Sequence, residues 1–258
     1  LINQKPGSCH QLPGYLLEKI HHSPLLACGE GVGGGVLLTI IKKINLMNNQ
    51  ILKEKLQATI KRNQAKSDGS PITNLKLDQT LVAEIEQLTA ELESVNPHPQ
   101  PLIHATDLLE GVWQLQYSTA REIRSLDSLP LGLQIGKVYQ VINIADKLFF
   151  NIAQVQHPLK IISGYVKVTA SFQPAIYPSG LADKRINVDF DKRYLAIEKI
   201  VGINTPKLNP FKVVAANNPQ GRIATLDITY LDETLRIGRG GDESLFILQK
   251  VNDLANLT

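Results

Sequence analysis

One glycine run and a scatter of histidines, cysteines and carboxylates are the places where this chain could do chemistry. Gly29-Glu30-Gly31-Val32-Gly33-Gly34 fits G-x-G-x-x-G, the spacing with which a dinucleotide-binding turn cradles a pyrophosphate. That turn needs a buried strand before it, a helix after it and an acidic residue about 20 positions on. Here Ser23-Pro24-Leu25-Leu26-Ala27-Cys28 is short and carries a proline, and Val36-Leu37-Leu38-Thr39-Ile40-Ile41 is β-branched and reads as a strand. Glu54 follows a different kind of segment, so no nucleotide site is expected. Cys9, His10, His21, His22 and Cys28 match no compact Cys/His spacing, and no metal is expected. Two cysteines make no disulfide framework. Tyr117, His157, Asp189 and Asp227 could move protons, but no spacing among them is one that catalysis requires. His104 and His157 read as surface or loop residues. The expectation is a chain with no catalytic residues and no cofactor, not an enzyme.

The elements around these residues fall into two helices and then strands. Residues 48–64 read as a helix, with Leu52, Leu56 and Ile60 on one stripe among Lys53, Lys55, Lys61 and Arg62. Lys66-Ser67-Asp68-Gly69-Ser70-Pro71 breaks it. Asp78 can cap a second helix striped by Leu81, Ile85, Leu88 and Leu92, with Glu84, Glu86, Glu91 and Glu93 mostly on its solvated face. That helix stops at Asn96-Pro97-His98-Pro99-Gln100-Pro101. Asp107 to Glu110 reads as a short helical approach with Thr106 as its cap, and Gly111 turns the backbone into a strand. In that strand Trp113, Leu115 and Tyr117 share one face, and Gln114 and Gln116 the other.

From Gly111 onward the period is two. Strands are expected over Val138–Ile144 and over Lys147–Gln156, where Leu148, Phe150 and Ile152 share a face. Further alternating sets are Val166, Val168, Ala170 and Phe172; Ile186, Val188 and Phe190; and Ala224, Leu226, Ile228 and Tyr230. Leu235-Arg236-Ile237 and Leu245 to Gln249 close the series. Seven or more antiparallel strands behind a Gly-x-Trp favour a closed barrel over a sandwich. The fold class expected is therefore mainly β: a lipocalin-like antiparallel β-barrel preceded by two helices, with Trp113 plugging its closed end.

Composition sets the outer bounds. Of 258 residues, 43% are hydrophobic and 20% charged, enough apolar material for a core. A net charge of +3, without a basic cluster interleaved with aromatics, argues against nucleic acid as a partner. No run approaches the roughly 20 apolar residues of a membrane span, which predicts a soluble or peripheral protein. The first 46 residues hold both cysteines, three of the six histidines and seven of the eighteen glycines. Removing their four basic and two acidic residues from 27 and 24 leaves 23 and 22, a charge of +1. Met47 looks like a natural start. The division expected is 1–46 as a spurious or disordered extension, 47–105 as a helical region packing on the barrel, and 106–258 as the barrel. The extension has neither a signal-peptide nor a transit-peptide pattern.

Four stretches in order carry a resemblance. They are Ile85-Glu86-Gln87-Leu88 through Leu92 to Asn96-Pro97-x-Pro99, and Leu109-x-Gly111-x-Trp113-x-Leu115-x-Tyr117-Ser118-Thr119-x-Arg121. The others are Gly136-x-Val138-Tyr139-Gln140 and Arg236-Ile237-x-Arg239-Gly240-Gly241-Asp242-x-Ser244-Leu245-Phe246-Ile247-Leu248. Over about residues 50–251 the chain resembles the plastid lipid-associated proteins, or plant-type fibrillins, which also occur in cyanobacteria. The resemblance implies a lipocalin-like barrel that associates peripherally with thylakoid membranes or lipid droplets. It implies a hydrophobic small molecule or lipid as ligand: carotenoids, prenylquinones or fatty acids. It brings no catalytic set. A start at Met47 suits a cyanobacterial member, placed at the thylakoid or a cytoplasmic droplet; a eukaryotic one would sit in the plastid. A scaffold that recruits a lipid- or quinone-biosynthetic enzyme, through its helices or the Gly202–Gly221 loop, is the alternative.

In such a barrel the inward candidates are Trp113, Leu115, Tyr117, Phe150, Ile152, Val166, Val168, Phe172, Ile186, Val188 and Phe190. Each either contacts a ligand or simply fills the core. Arg236 and Arg239 are candidates to stack on Trp113 and close the floor, or to bind an acidic head group.

Overall fold

The computed structural model describes residues 33–64, 70–125, 129, 132–178, 180–216 and 223–251. Cys9, His10, His21, His22, Cys28 and Gly29–Val32 lie outside them. The chain divides between Lys43 and Ile44, and the second unit, residues 44–258, holds the elements discussed below apart from the first residues of helix α1. Helix α1 spans Gly33–Gln64. It thus begins well before residue 48, passes through Met47 and includes Val36–Ile41, which composition marked as a strand. β-Branching costs a helix only a few tenths of a kcal/mol per residue, too little to decide the matter. The stripe holds where α1 meets the core: Leu56 and Ile60 are buried and Leu52 partly so.

Helix α2 spans Gln79–Ser94, and the Asp78 carboxylate accepts from Leu81 N–H at 2.9 Å, the expected cap. Ile85, Leu88 and Leu92 are buried. Two single turns follow, α3 (Pro101–His104) and α4 (Thr106–Leu109). The residue capping α4 is Ala105, with no side-chain bond, so Thr106 belongs to the first turn and is not the cap. Gly111 sits at φ 107, a left-handed conformation that a Cβ disfavours, and opens the first barrel strand.

Strands β1 (Ile72–Thr73), β2 (Gly111–Ser118), β3 (Gln134–Asn143), β4 (Leu148–Gln156), β5 (Ile162–Tyr177), β6 (Gly180–Ile200), β7 (Ile203–Asn204), β8 (Lys212–Ala215), β9 (Ala224–Leu231), β10 (Leu235–Gly240) and β11 (Leu245–Val251) form one sheet. Its path β2-β11-β10-β9-β6-β5-β4-β3 returns to β2 through the β2–β3 pairing, which closes eight antiparallel strands into a barrel. β1 lies parallel beside β2, and β7 and β8 pair with β6 outside the ring. β5 and β6 run far beyond the alternating cores seen in the sequence. Gly164 is where they crowd most: a Cβ there would stand 2.0 Å from the Ala196 carbonyl oxygen. Gly164→Ala is therefore expected to lower the urea midpoint, costing about 1–3 kcal/mol by overpacking. An unchanged midpoint would show that the two backbones part easily.

Two bulges decide which side chains face inward. Ile247 pairs with Tyr117 but Leu248 with Leu115, so Gln116 is an extra residue on β2. Ile237 pairs with Tyr230 but Gly238 with Ile228, so Thr229 is extra on β9. Beyond each bulge the alternation reverses. Trp113, Leu115 and Ile228 face the barrel interior, while Tyr117 and Tyr230 turn outward into a second core with Leu56, Ile60, Ile85, Leu88 and Leu92 of the helices. Side-chain amides fill the gaps. Gln64 Nε2 donates to the Gln116 carbonyl at 3.1 Å. Asn96 Nδ2 donates to the Thr229 carbonyl at 2.9 Å, and its Oδ1 accepts from Leu231 N–H at 3.2 Å.

Candidate functional site

The floor of the barrel is built by the approach α3–α4 and the first residues of β2. Trp113 is wholly buried, and its indole N–H donates to the Leu109 carbonyl at 2.9 Å. A cation stands close to the ring twice over: Arg236 Cζ lies 5.0 Å from a ring centroid and Lys250 Nζ 5.1 Å. Such contacts favour a cation over the electron-rich face of the indole. Lys250 also donates to the Leu108 carbonyl at 2.8 Å. Burial, and next the neighbouring Arg236 charge, push its pKa down, with Glu110 opposing.

Arg236 projects from β10 into the interior. Its Nη2 donates to Gln140 Oε1, and Gln140 Nε2 donates to Asn151 Oδ1 at 2.9 Å. Among the described residues it has no carboxylate partner, and burial pushes its guanidinium down to about 9, so it stays charged at neutral pH. Gln140 and Asn151 were missed in the sequence, although a glutamine between Val138 and Ile142 at an inward position is the signal that would have found it. Beside Arg236 is a cavity of ≈ 20 Å³, lined by Gln140 and otherwise by apolar side chains including Leu109, Ile142, Phe149, Phe172, Ile186 and Ile228. That is room for about one water molecule.

The eleven inward candidates separate. Trp113, Leu115, Phe172, Ile186 and Val188 belong to the interior core, with Phe190 packed against it. Val166 and Val168 pair with Ala153 and Asn151, share their face and are half-buried. Tyr117, Phe150 and Ile152 are corrections. Tyr117 faces the helices for the reason given, and burial, with Glu86 second, pushes its hydroxyl up to about 12. Phe150 and Ile152 lie on the outer face with Val112, Tyr139 and Tyr165, where Lys167 Nζ sits 4.1 Å above the Phe150 ring. On β4 it is Phe149 that faces inward; both faces of that strand are apolar, so period two could not assign the sides.

The two arginines also part. Arg239 is committed to α2: Nε donates to Glu93 at 2.8 Å and Nη2 to Glu86 at 2.7 Å, hydrogen bonds that hold its pKa up. Glu86 and Glu93 are thus clamps on the barrel wall, not merely solvated positions. The proton-transfer candidates stay apart, with Tyr117 on β2, His157 in the β4–β5 turn, Asp189 on β6 and Asp227 on β9. Asp227 is held by Arg185 at 2.5 and 2.7 Å. Among the described residues no group of three or more His, Cys, Asp or Glu is arranged to hold a metal, and no helix is long and apolar enough to cross a membrane.

Closure of the ring at β2–β3 over a tryptophan floor makes this a lipocalin-like barrel. The chain belongs to the PAP_fibrillin family, whose model matches residues 50–249. It is 29% identical over 192 residues to plastid-lipid-associated protein 6, chloroplastic, of Arabidopsis thaliana, covering 67% of this chain and 66% of that one. It is 32% identical over 198 residues to probable plastid-lipid-associated protein 5 of the same plant (77% and 68%). It is 28% identical over 198 residues to plastoglobulin-1, chloroplastic, of Pisum sativum (65% and 54%). The match thus spans between about half and two thirds of these relatives' length. A crystal structure of bovine odorant binding protein with its natural ligand matches at 14% identity and a TM-score of 0.27, covering 58% of this chain and 76% of that chain.

Proposed function

We propose that this is a non-enzymatic, lipid-associated structural or carrier protein. It takes a hydrophobic small molecule (a carotenoid, prenylquinone or fatty acid) into its barrel while resting peripherally on a thylakoid membrane or lipid droplet. The names of the family relatives support lipid association. The observation that carries a ligand of this kind is Arg236: a buried guanidinium with no carboxylate partner among the described residues, bonded to Gln140 in a mostly apolar interior. An acidic head or a quinone carbonyl could accept from it, and burial of the tail would contribute roughly 25 cal/mol per Å² of apolar surface. Entry of a tail requires Phe149, Phe172 and their neighbours to swing aside, since the cavity is ≈ 20 Å³.

That same volume favours a second reading, a filled barrel serving as scaffold for a biosynthetic enzyme. Organic extraction of the purified protein followed by mass spectrometry separates the two. The carrier reading expects a stoichiometric apolar molecule, lost in Arg236→Met; circular dichroism checks that this variant, which gives up the Gln140 hydrogen bond and the Trp113 contact, still folds. An empty extract together with a tightly co-purifying enzyme would establish the scaffold instead.

A further inference from the structure

The end of the barrel away from Trp113 carries a feature the ligand site does not use. β2 rises from Gly111, β3 descends to Asn143 beside it, and β4 rises again from Leu148 to Gln156. The β4–β5 turn therefore lies at the opposite end from the floor, and β6 ends beside it, where Ile162 pairs with Ile200. Val201 N–H donates to the Ile161 carbonyl at 2.7 Å and ties this turn to the β6–β7 turn. Together they expose a contiguous set of large aliphatic side chains: Leu159 (76%), Val201 (70%), Ile203 (71%) and, less fully, Ile161 and Ile200. Scattered exposed aliphatics need no explanation, but a contiguous patch marks a surface that meets something.

Two further observations say what it meets. Val201 is held at φ 48 and Lys160 at φ 55, in the left-handed region. A β-branched residue is strained there, and a turn chosen for geometry alone takes glycine or asparagine. The turn thus carries an apolar side chain at its apex despite the strain. In the two turns and the segment that follows them down to β8 are Lys160, Lys199, Lys207 and Lys212, all exposed, against one acidic residue, Glu198. Across residues 157–161 and 198–212 that is four positive charges less one, +3, equal to the net charge of the whole chain. Aliphatic side chains at an apex with ammonium groups behind them suit the boundary between acyl chains and anionic head groups.

We propose that this tip, formed by the β4–β5 and β6–β7 turns, inserts into an anionic lipid surface and stands the barrel on it with the Trp113 floor outward. The inference rests on the peripheral lipid association proposed above and names the surface responsible. Flotation with vesicles of equimolar phosphatidylglycerol and phosphatidylcholine, and with phosphatidylcholine alone, tests it on the full chain. The wild type should float with the anionic vesicles and less with the neutral ones. Val201→Asp with Ile203→Asp should raise the lipid needed for half-binding about tenfold or more. Changing the four lysines to glutamine should abolish the preference for phosphatidylglycerol. Ile176→Asp, at a residue 79% exposed near the other end of β5, should bind as wild type. All these positions are on the surface, and unchanged Trp113 emission verifies the fold. A wild type that floats while the tip variant floats equally well overturns the tip and leaves lipid association standing. A wild type that stays below both vesicles overturns surface docking altogether, while the cargo reading keeps its own test by extraction.

Discussion

Trp113→Ala is expected to destabilise the protein by about 3–5 kcal/mol, the cost of losing a buried indole and leaving a cavity. The variant also leaves Arg236 and Lys250 without the ring that both approach, and Lys250 already feels the Arg236 charge. Chemical denaturation read by circular dichroism measures the change, since the variant has no tryptophan. In the wild type the same residue is a reporter. Its emission should be blue-shifted and poorly quenched by iodide, because the ring is fully buried and its N–H is bonded. A carotenoid bound above the floor should quench it by energy transfer, and a saturated fatty acid should not. Red-shifted emission open to iodide would put Trp113 at the surface and remove the floor.

Asp232→Ala should cost a similar about 3–5 kcal/mol, because it strands a partly buried cation and several donors. The carboxylate accepts from Lys53 Nζ and Tyr230 OH, both at 2.8 Å, and from Thr234 and Leu235 N–H at 2.7 and 2.8 Å. It thus joins α1 to the β9–β10 turn. Burial by itself would raise its pKa; the hydrogen bonds from Lys53, Thr234 and Leu235 outweigh that and hold it below the ordinary value. A depressed carboxylate contributes stability that is complete above the unfolded pKa of about 3.9 and disappears as pH falls through the folded value. Urea midpoints of the wild type should therefore fall below about pH 4, and Asp232→Asn should flatten that fall. An identical pH profile in the variant would show that Asp232 is not the group being titrated.

Much of the architecture was legible because it depends on short-range signals. Asp78 before an apolar stripe, prolines after Asn96, and alternating strands behind Gly111 each specify local structure, and all three appear where expected. The facing of individual side chains was less so. Alternation predicts Tyr117 and Tyr230 beside Leu115 and Ile228, and nothing in Gln116 or Thr229 announces that each is an extra residue in its strand. β4 is apolar on both sides, so Phe149 and Phe150 could not be told apart until Ile142 and Val141 supplied their partners. Arg236 and Arg239 stand three apart in the same motif, yet one enters the barrel and the other grips Glu86 and Glu93. Alternation already puts strand residues three apart on opposite faces; which of the two enters is set by the registry of β10 against β9 and β11.

The amide clasps over the two bulges bind the helical segment to the barrel's kinetics. A carbonyl at a bulge has lost its ladder partner, and here Gln64 and Asn96 replace it from the helix α1 terminus and the segment after α2. Peeling either segment away bares a main-chain acceptor in the middle of β2 or β9 and lets that strand slide by one residue. Helices and barrel wall are consequently expected to share one opening event, and hydrogen exchange should show their protected amides leaving as a single cooperative unit.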